Sequence, residues 1–433
     1  MNSAMPTPHE QRNALNDELH QHPYEPLTPP ARVIYIAMLV TSDERAEEDA
    51  HLGQLFEHFG DALDKDHSRI RHDFGSFRFK LERHQEFTGY KFVFPISSEQ
   101  METPFALNPM QALPQSWLAG LPGKLLVSMD MPILPCPETT DHRDLINVHG
   151  DSFNCDFLTV SKFGRSGGLA ITDFKIRDDG MLRMLLFSKA PLPTQNGRLV
   201  LRLIEMESYR MLAMLVLPSA RALLRELPAS DARLTELTHA IAKGGGNNDE
   251  ELLEDLTSLA ANVENMVASN YRKLSASRAY FDLMSQRLTE LHEQPVDLLP
   301  SFSGILNRRL EPARMTCESV SNWLNQLSQR ISQTSQLLRT RIDVRHEQQS
   351  QQLLKAMNSR FHLQLRLQAA AEMLSVAIFT YYTVSLMAYM IEEITVVFSL
   401  SYDPVLVKAV STPIIAGAAL LFVWILRKRR TAE

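Results

Sequence analysis

The stretch MLSVAIFTYYTVSLMAYMI, Met373 to Ile391, decides how this chain is read: nineteen residues without a charge, bracketed by Glu372 and by Glu392 with Glu393. As a helix it is about 28 Å long, close to the ~30 Å hydrocarbon core of a bilayer. A second uncharged run, Ala409 to Leu426, follows the Asp403-Pro404 turn and Lys408. It carries Trp424 near its end and is closed by Arg427, Lys428, Arg429 and Arg430. Two such runs ending in an interfacial tryptophan and a basic anchor predict a two-helix transmembrane hairpin. The connector, 392–408, holds three acidic residues and one lysine, whereas Arg360 and Arg366 precede the first span and the basic cluster 427–433 follows the second. Positive charge stays inside, so both termini are expected in the cytoplasm of a bacterial inner membrane, with the lipid bilayer as a partner.

Composition agrees with a mostly water-exposed chain. Of 433 residues, 44% are hydrophobic and 22% charged, which excludes a disordered tail and a polytopic transporter. Three cysteines without zinc-ligand spacing fit a reducing compartment, and the polar start MNSAMPTPHEQRN gives no expectation of a signal peptide. Residues 1–300 carry 29 basic and 42 acidic side chains. That acidic balance gives no expectation of nucleic-acid binding.

Between head and span the apolar spacing is helical. From Pro191 onward helices are predicted with breaks at Pro218 and Pro228, at the 244–249 glycine-asparagine loop, and at Pro295 and Pro300. An eleven-residue ladder, Val320, Leu324, Leu327, Ile331, Ser335, Leu338, Ile342, His346, Gln349, Leu353 and Met357, finds eight apolar positions of eleven, against five for a heptad ladder. It predicts a nearly straight bundle whose polar places, Ser335, His346 and Gln349, set register. On the first span Ser375, Tyr382, Ser385 and Tyr389 fall within about 80° of one another, a polar face suited to helix packing. With Ala409, Pro413 and Gly417 spaced by four on the second span, these faces predict a homo-oligomer.

The head, 1–190, reads as strands: a nearly continuous apolar run at Val33–Val40, alternation at Phe77–Leu81 and Tyr90–Phe94, and further strands at Lys124–Met129, Phe157–Val160, Leu169–Ile176 and Leu182–Phe187, with helices near Glu44–Phe59 and Ser116–Leu121. The expected fold is an α+β cytoplasmic head with a mostly antiparallel sheet, then a long α-helical stalk over 191–372, then spans at 373–391 and 409–426. The candidate site is Glu18 and His20 in ELHQHP with Arg83, His84 and Glu86 in ERHQEF. Its default role is structural, with a ligand-binding acid-base cluster or a metal site as alternatives. No HExxH, P-loop or Cys-His pairing occurs, so no catalytic residue or metal ligand is predicted and the cofactor is left open.

The stretches LNDELHQHPYEPL (15–27), FGSFRFKLERHQEFTGYKFVF (74–94), IEMESYRMLAMLVLP (204–218), SRAYFDLMSQRLTEL (277–291) and RTRIDVRHEQQSQQLLKAMNSRFHLQLRLQ (339–368) running into LSVAIFTYY resemble an uncharacterised bacterial family of predicted membrane-anchored proteins. The resemblance implies a cytoplasmic domain held by C-terminal helices, a binding or scaffold protein at the inner membrane, and no assigned activity. The overall plan is also similar to that of the CorA-type magnesium channels. Their Gly-Met-Asn signature is replaced here by AYMIEE (388–393), so a divalent-cation channel is the alternative without its selectivity residues.

Overall fold

The computed structural model describes residues 9–13, 15–16, 24–63, 69–136, 142–164, 168–243, 248–297, 299–398 and 403–430. The chain divides into two compact units, Met1–Ser335 and Gln336–Glu433.

The first unit is organised by β1, Ala31–Leu39, whose residues are apolar almost without interruption because both faces are covered. Ile34, Ile36 and Met38 point to one side, into a core with Leu52, Leu55 and Phe56 of helix α1 (Arg45–His58) and with Phe77, Phe79, Tyr90 and Phe92. Val33, Tyr35 and Ala37 point to the other, into a core built with the helices that follow the sheet. That is the two-residue period of a strand with two buried faces. Around β1 lie β2 (Arg69–Asp73), β3 (Arg78–Arg83), β4 (Phe87–Pro95), β5 (Lys124–Pro135), β6 (Thr159–Phe163), β7 (Gly168–Ile176), β8 (Leu182–Ser188) and the short β9 (Gln294–Pro295), in the order β2-β3-β4-β1-β5-β8-β7-β6-β9. The pairings are antiparallel except β5 with β8, so the sheet is mixed, with antiparallel pairs in the majority. Alternation cannot reveal that, because the direction of a partner is set by the long crossover between strands. Short helices α2 (Gln115–Ala119) and α3 (His142–His149) complete the sheet layer.

Four long helices follow: α4 (Pro193–Met214), α5 (Leu217–Lys243), α6 (Asp249–Glu290) and α7 (Phe302–Phe398). A division between head and stalk at residue 190 was expected. In the structure α4, α5, α6 and the start of α7 share one core with the sheet, through Val200, Leu203 and Met206 of α4, Phe281 and Met284 of α6, and Phe302 to Ile331 of α7. Two expected helix breaks also move. Pro218 stands in the first turn of α5, where its missing N–H is no loss, and Pro228 lies inside α5. Burial of Ala220, Leu223, Leu227, Leu234 and Leu237 along one stripe offsets the ~3 kcal/mol that an interior proline costs.

The segment before β1 is clamped on α4: the Leu27 amide donates to the Pro193 carbonyl (2.9 Å), and the Asn196 side-chain amide donates to the Leu27 carbonyl (3.0 Å). This close approach requires Gly197, since a Cβ there would stand 1.9 Å from the Glu25 carbonyl oxygen. Gly197→Ala is expected to lower the unfolding free energy by about 1–3 kcal/mol in urea titration, the usual cost of overpacking.

The second unit comprises α7 beyond Gln336 and α8 (Pro404–Arg430). The eleven-residue ladder on α7 changes character along its length. Val320, Leu324, Leu327, Ile331 and Leu338 are buried, Ser335 and Ile342 half-buried, and His346, Gln349, Leu353 and Met357 exposed. From Leu353 onward α7 presents apolar side chains outward, including Phe361, Leu363 and Leu367. One segment within it is long and apolar enough to cross a membrane, with a mean hydropathy of 1.3 over its best window and none of that window buried. The described part of α8 contains a shorter apolar helix, Ala409–Ala418.

Candidate functional site

A cavity of about 390 Å³ opens between the helix-facing side of β1, β3 and β4 and a wall made by α4 and the end of α6. Its floor follows from strand alternation. Phe79 and Leu81 of β3 enter the α1 core, so Lys80 and Glu82 project the other way. The register places Lys80 directly opposite Lys91 of β4. Both lysines are buried, at 4% and 9% exposure. Like charges at opposed positions are unfavourable by themselves. Each is answered by a carboxylate: Lys80 Nζ lies 2.6 Å from Glu82 Oε1, and Lys91 Nζ lies 2.5 Å from Glu25 Oε2.

The helical wall carries a second charged set. Arg287 of α6 contacts Glu205 of α4 at 2.6 Å and Glu290 at 2.9 Å; Arg202 lies 3.3 Å from Glu290 and donates to its backbone carbonyl at 2.9 Å. Tyr35, Ser208 and Tyr209 fill the space between, with Ser208 Oγ donating to Tyr35 Oη at 3.5 Å. The Tyr35 ring has room because position 89 has no side chain, and a Cβ there would sit 2.7 Å from its hydroxyl.

Burial sets the protonation behaviour. It pushes the Lys80 ammonium below its ordinary value, aided by Lys91 and only partly offset by Glu82. It also raises the Glu205 carboxyl, with Arg287 opposing, and raises the Tyr35 and Tyr209 hydroxyls. For Glu82 burial alone would raise the carboxyl, but Lys80 and then Lys91 outweigh it, and the group is held below the usual carboxylate range. A carboxyl depressed in the fold stabilises the fold above its unfolded pKa, and that contribution is lost as pH falls through the depressed value. Glu82→Gln is therefore expected to cost about 1–3 kcal/mol at pH 7, with the gap to the unsubstituted protein closing as the pH is lowered through the glutamate range in chemical denaturation.

The residues singled out from sequence are distributed as follows. Glu18 and His20 lie outside the described residues. Arg83 faces α1, where its Nε donates to Glu48 at 2.7 Å and it also pairs with Asp49. His84 lines the cavity with its ring stacked on Phe87, centroids 4.2 Å apart, and Glu86 accepts from Tyr280 of α6 at 2.9 Å. His84 and Glu86 thus belong to the helix side of the sheet and Arg83 to the other. Of the principal cavity charges, Glu82 lies in the ERHQEF stretch singled out from the sequence, whereas Lys80, Lys91, Glu205 and Arg287 do not. The alternation in FRFKLER places Lys80 and Glu82 on one face, yet nothing local says that this face is roofed by helices. Among the described residues no group of three His, Cys, Asp or Glu side chains is placed to hold a metal ion.

In the second unit Ser375, Tyr382 and Tyr389 are exposed and Ser385 half-buried. The Ser375 hydroxyl donates to the Ala371 carbonyl of its own helix at 2.9 Å. Trp424 is exposed, and Arg427, Lys428, Arg429 and Arg430 form the last helical residues of α8.

Residues 7–430 match the sequence profile of the family described as Protein of unknown function (DUF3422). No curated protein and no solved structure matches the chain.

Proposed function

The chain belongs to the DUF3422 family, whose description assigns no activity, and from that premise we propose that it is a membrane-anchored, self-associating binding protein whose α+β unit takes a small ligand in the cavity between sheet and helices. The observation that carries the anchor is the unburied apolar window of α7, with a mean hydropathy of 1.3. Outward-facing Ile378, Phe379, Leu386 and Met390 on that helix, and Val410, Ile414, Leu421 and Phe422 on α8, have no place in water at this density. A lipid environment accepts them. The proposed topology is a two-span hairpin at a bacterial inner membrane with both termini cytoplasmic, supported by the arginines that flank it.

The test is labelling in intact cells with a membrane-impermeant maleimide, after replacing the native cysteines. A cysteine at Ser401 is expected to react from outside and one at Ala432 only after lysis. The reverse pattern, or equal reactivity, removes the topology.

Self-association is supported by Leu353, Met357 and Phe361, exposed and spaced by four on α7 ahead of the span. Crosslinking in membranes is expected to trap an oligomer of the unsubstituted chain and only monomer of the Met357→Glu, Phe361→Glu double variant. An unchanged crosslinking ladder would place the interface elsewhere.

A further inference from the structure

The opposed lysines and their counter-ions are more than the fold requires. Lys80 and Lys91 occupy positions that an all-apolar pair fills more cheaply, as Val33 and Val93 do at another register of the same sheet. The charges are also sorted. The lysines form one like-charge pair on the floor, while Glu82 of the floor adds to the upward push that burial exerts on the Glu205 carboxyl of the helical wall. Tyr35 and Tyr209 are each within electrostatic reach of both carboxylates. Lys80 takes its counter-ion from Glu82 and Arg287 from Glu205 and Glu290, all residues of the cavity, while Lys91 takes Glu25 from the segment before β1.

We propose that this cavity binds a small zwitterion, a molecule carrying one ammonium and one carboxylate or phosphate group, with the anion taken by Lys80 and Lys91 and the ammonium by Glu82 and Glu205 beside Tyr209. The choice of a doubly charged ligand follows from charge balance. A simple anion that draws Lys80 away leaves Glu82 buried with no cation, and a simple cation at Glu82 strands Lys80 in the same way. A zwitterion replaces both partners at once, and the tyrosines offer the faces and hydroxyls that an ammonium favours. The volume of about 390 Å³ is at the small end of ligand sites and suits a molecule of amino-acid size. His84, at the rim and stacked on Phe87, is placed to meet whatever extends from the ligand toward solvent.

This inference rests on reading the cavity as a ligand site and is independent of the membrane anchor. The test is calorimetry on the full-length protein in detergent, with O-phosphoethanolamine and the L-amino acids as zwitterionic probes and ethylammonium, acetate and inorganic phosphate as single-charge controls. At least one zwitterion is expected to bind saturably and at least tenfold more tightly than every control. The amino-acid and phosphoethanolamine arms tell a carboxylate from a phosphate ligand. Lys91→Gln and Glu205→Gln are each expected to weaken that probe at least tenfold, with unchanged thermal unfolding cooperativity as the check on folding. Should either variant fail to fold, the comparison of probes on the unsubstituted protein decides alone. A control binding as tightly as the zwitterions overturns the ligand class and leaves the ligand site standing. Absence of binding by every probe overturns both.

Discussion

Asp130→Ala is expected to lower the stability of the α+β unit by about 3–5 kcal/mol, measured by urea unfolding, because it leaves the Arg32 guanidinium buried without its counter-ion. The two side chains meet in a two-pronged pair on the opposed strands β1 and β5, with Arg32 Nε 2.7 Å and a terminal nitrogen 2.5 Å from the two carboxylate oxygens. Arg32 also donates to the Leu107 carbonyl at 2.5 Å and lies 5.8 Å from the Phe105 ring centroid, and at 7% exposure it has little access to water to replace the carboxylate when that is removed. Burial raises the Asp130 carboxyl despite Arg32, which means that the pair as a whole is held against a desolvation cost. The joint replacement Arg32→Met with Asp130→Leu is accordingly expected to recover most of the loss. A single substitution costing under 1 kcal/mol would show that water reaches Arg32 and that the pair is not sealed.

Phe379→Arg with Leu386→Arg is expected to release the full-length chain from membranes or leave it degraded. Each arginine near the centre of a span costs about 2.5–3.5 kcal/mol on the insertion scale, and two at seven residues' separation fall on one face of α7. The matched control, Phe379→Leu with Leu386→Phe, keeps the apolar area and is expected to leave membrane recovery unchanged. If the arginine pair also pelleted with washed membranes, the segment around Met373–Ile391 would not be what holds the protein there. Soluble recovery of the arginine variant with an intact α+β unit would at the same time separate anchoring from ligand binding.

How much was legible in the sequence depended on which interactions are local. β3 and β4 are evident because the two-residue alternation is written directly in FRFKLER and GYKFVFP, and β1 because RVIYIAML is a short, nearly unbroken apolar run. The helices are evident for the same reason at a longer period, and the eleven-residue ladder correctly marks the buried side of α7 as far as Leu338. β2 was missed because RIRHD at the sheet edge buries little and has no apolar face. The parallel β5-β8 pairing and the docking of α4 and α6 onto the sheet were not readable, since each joins residues far apart in sequence. The cavity suffers most from this. Lys80 and Lys91 look like solvated strand residues until the register pairs them and Glu25, Glu205 and Arg287 arrive from three other segments. The ERHQEF stretch is divided between the two faces for an equally local reason: the strand sends Arg83 toward α1, while His84 and Glu86 end on the helix side.

Sedimentation of the full-length protein after an alkaline carbonate wash of disrupted cells tests the anchoring claim most directly. The chain is expected to stay in the pellet and to enter solution only with detergent. Recovery of intact protein in the washed supernatant would contradict it.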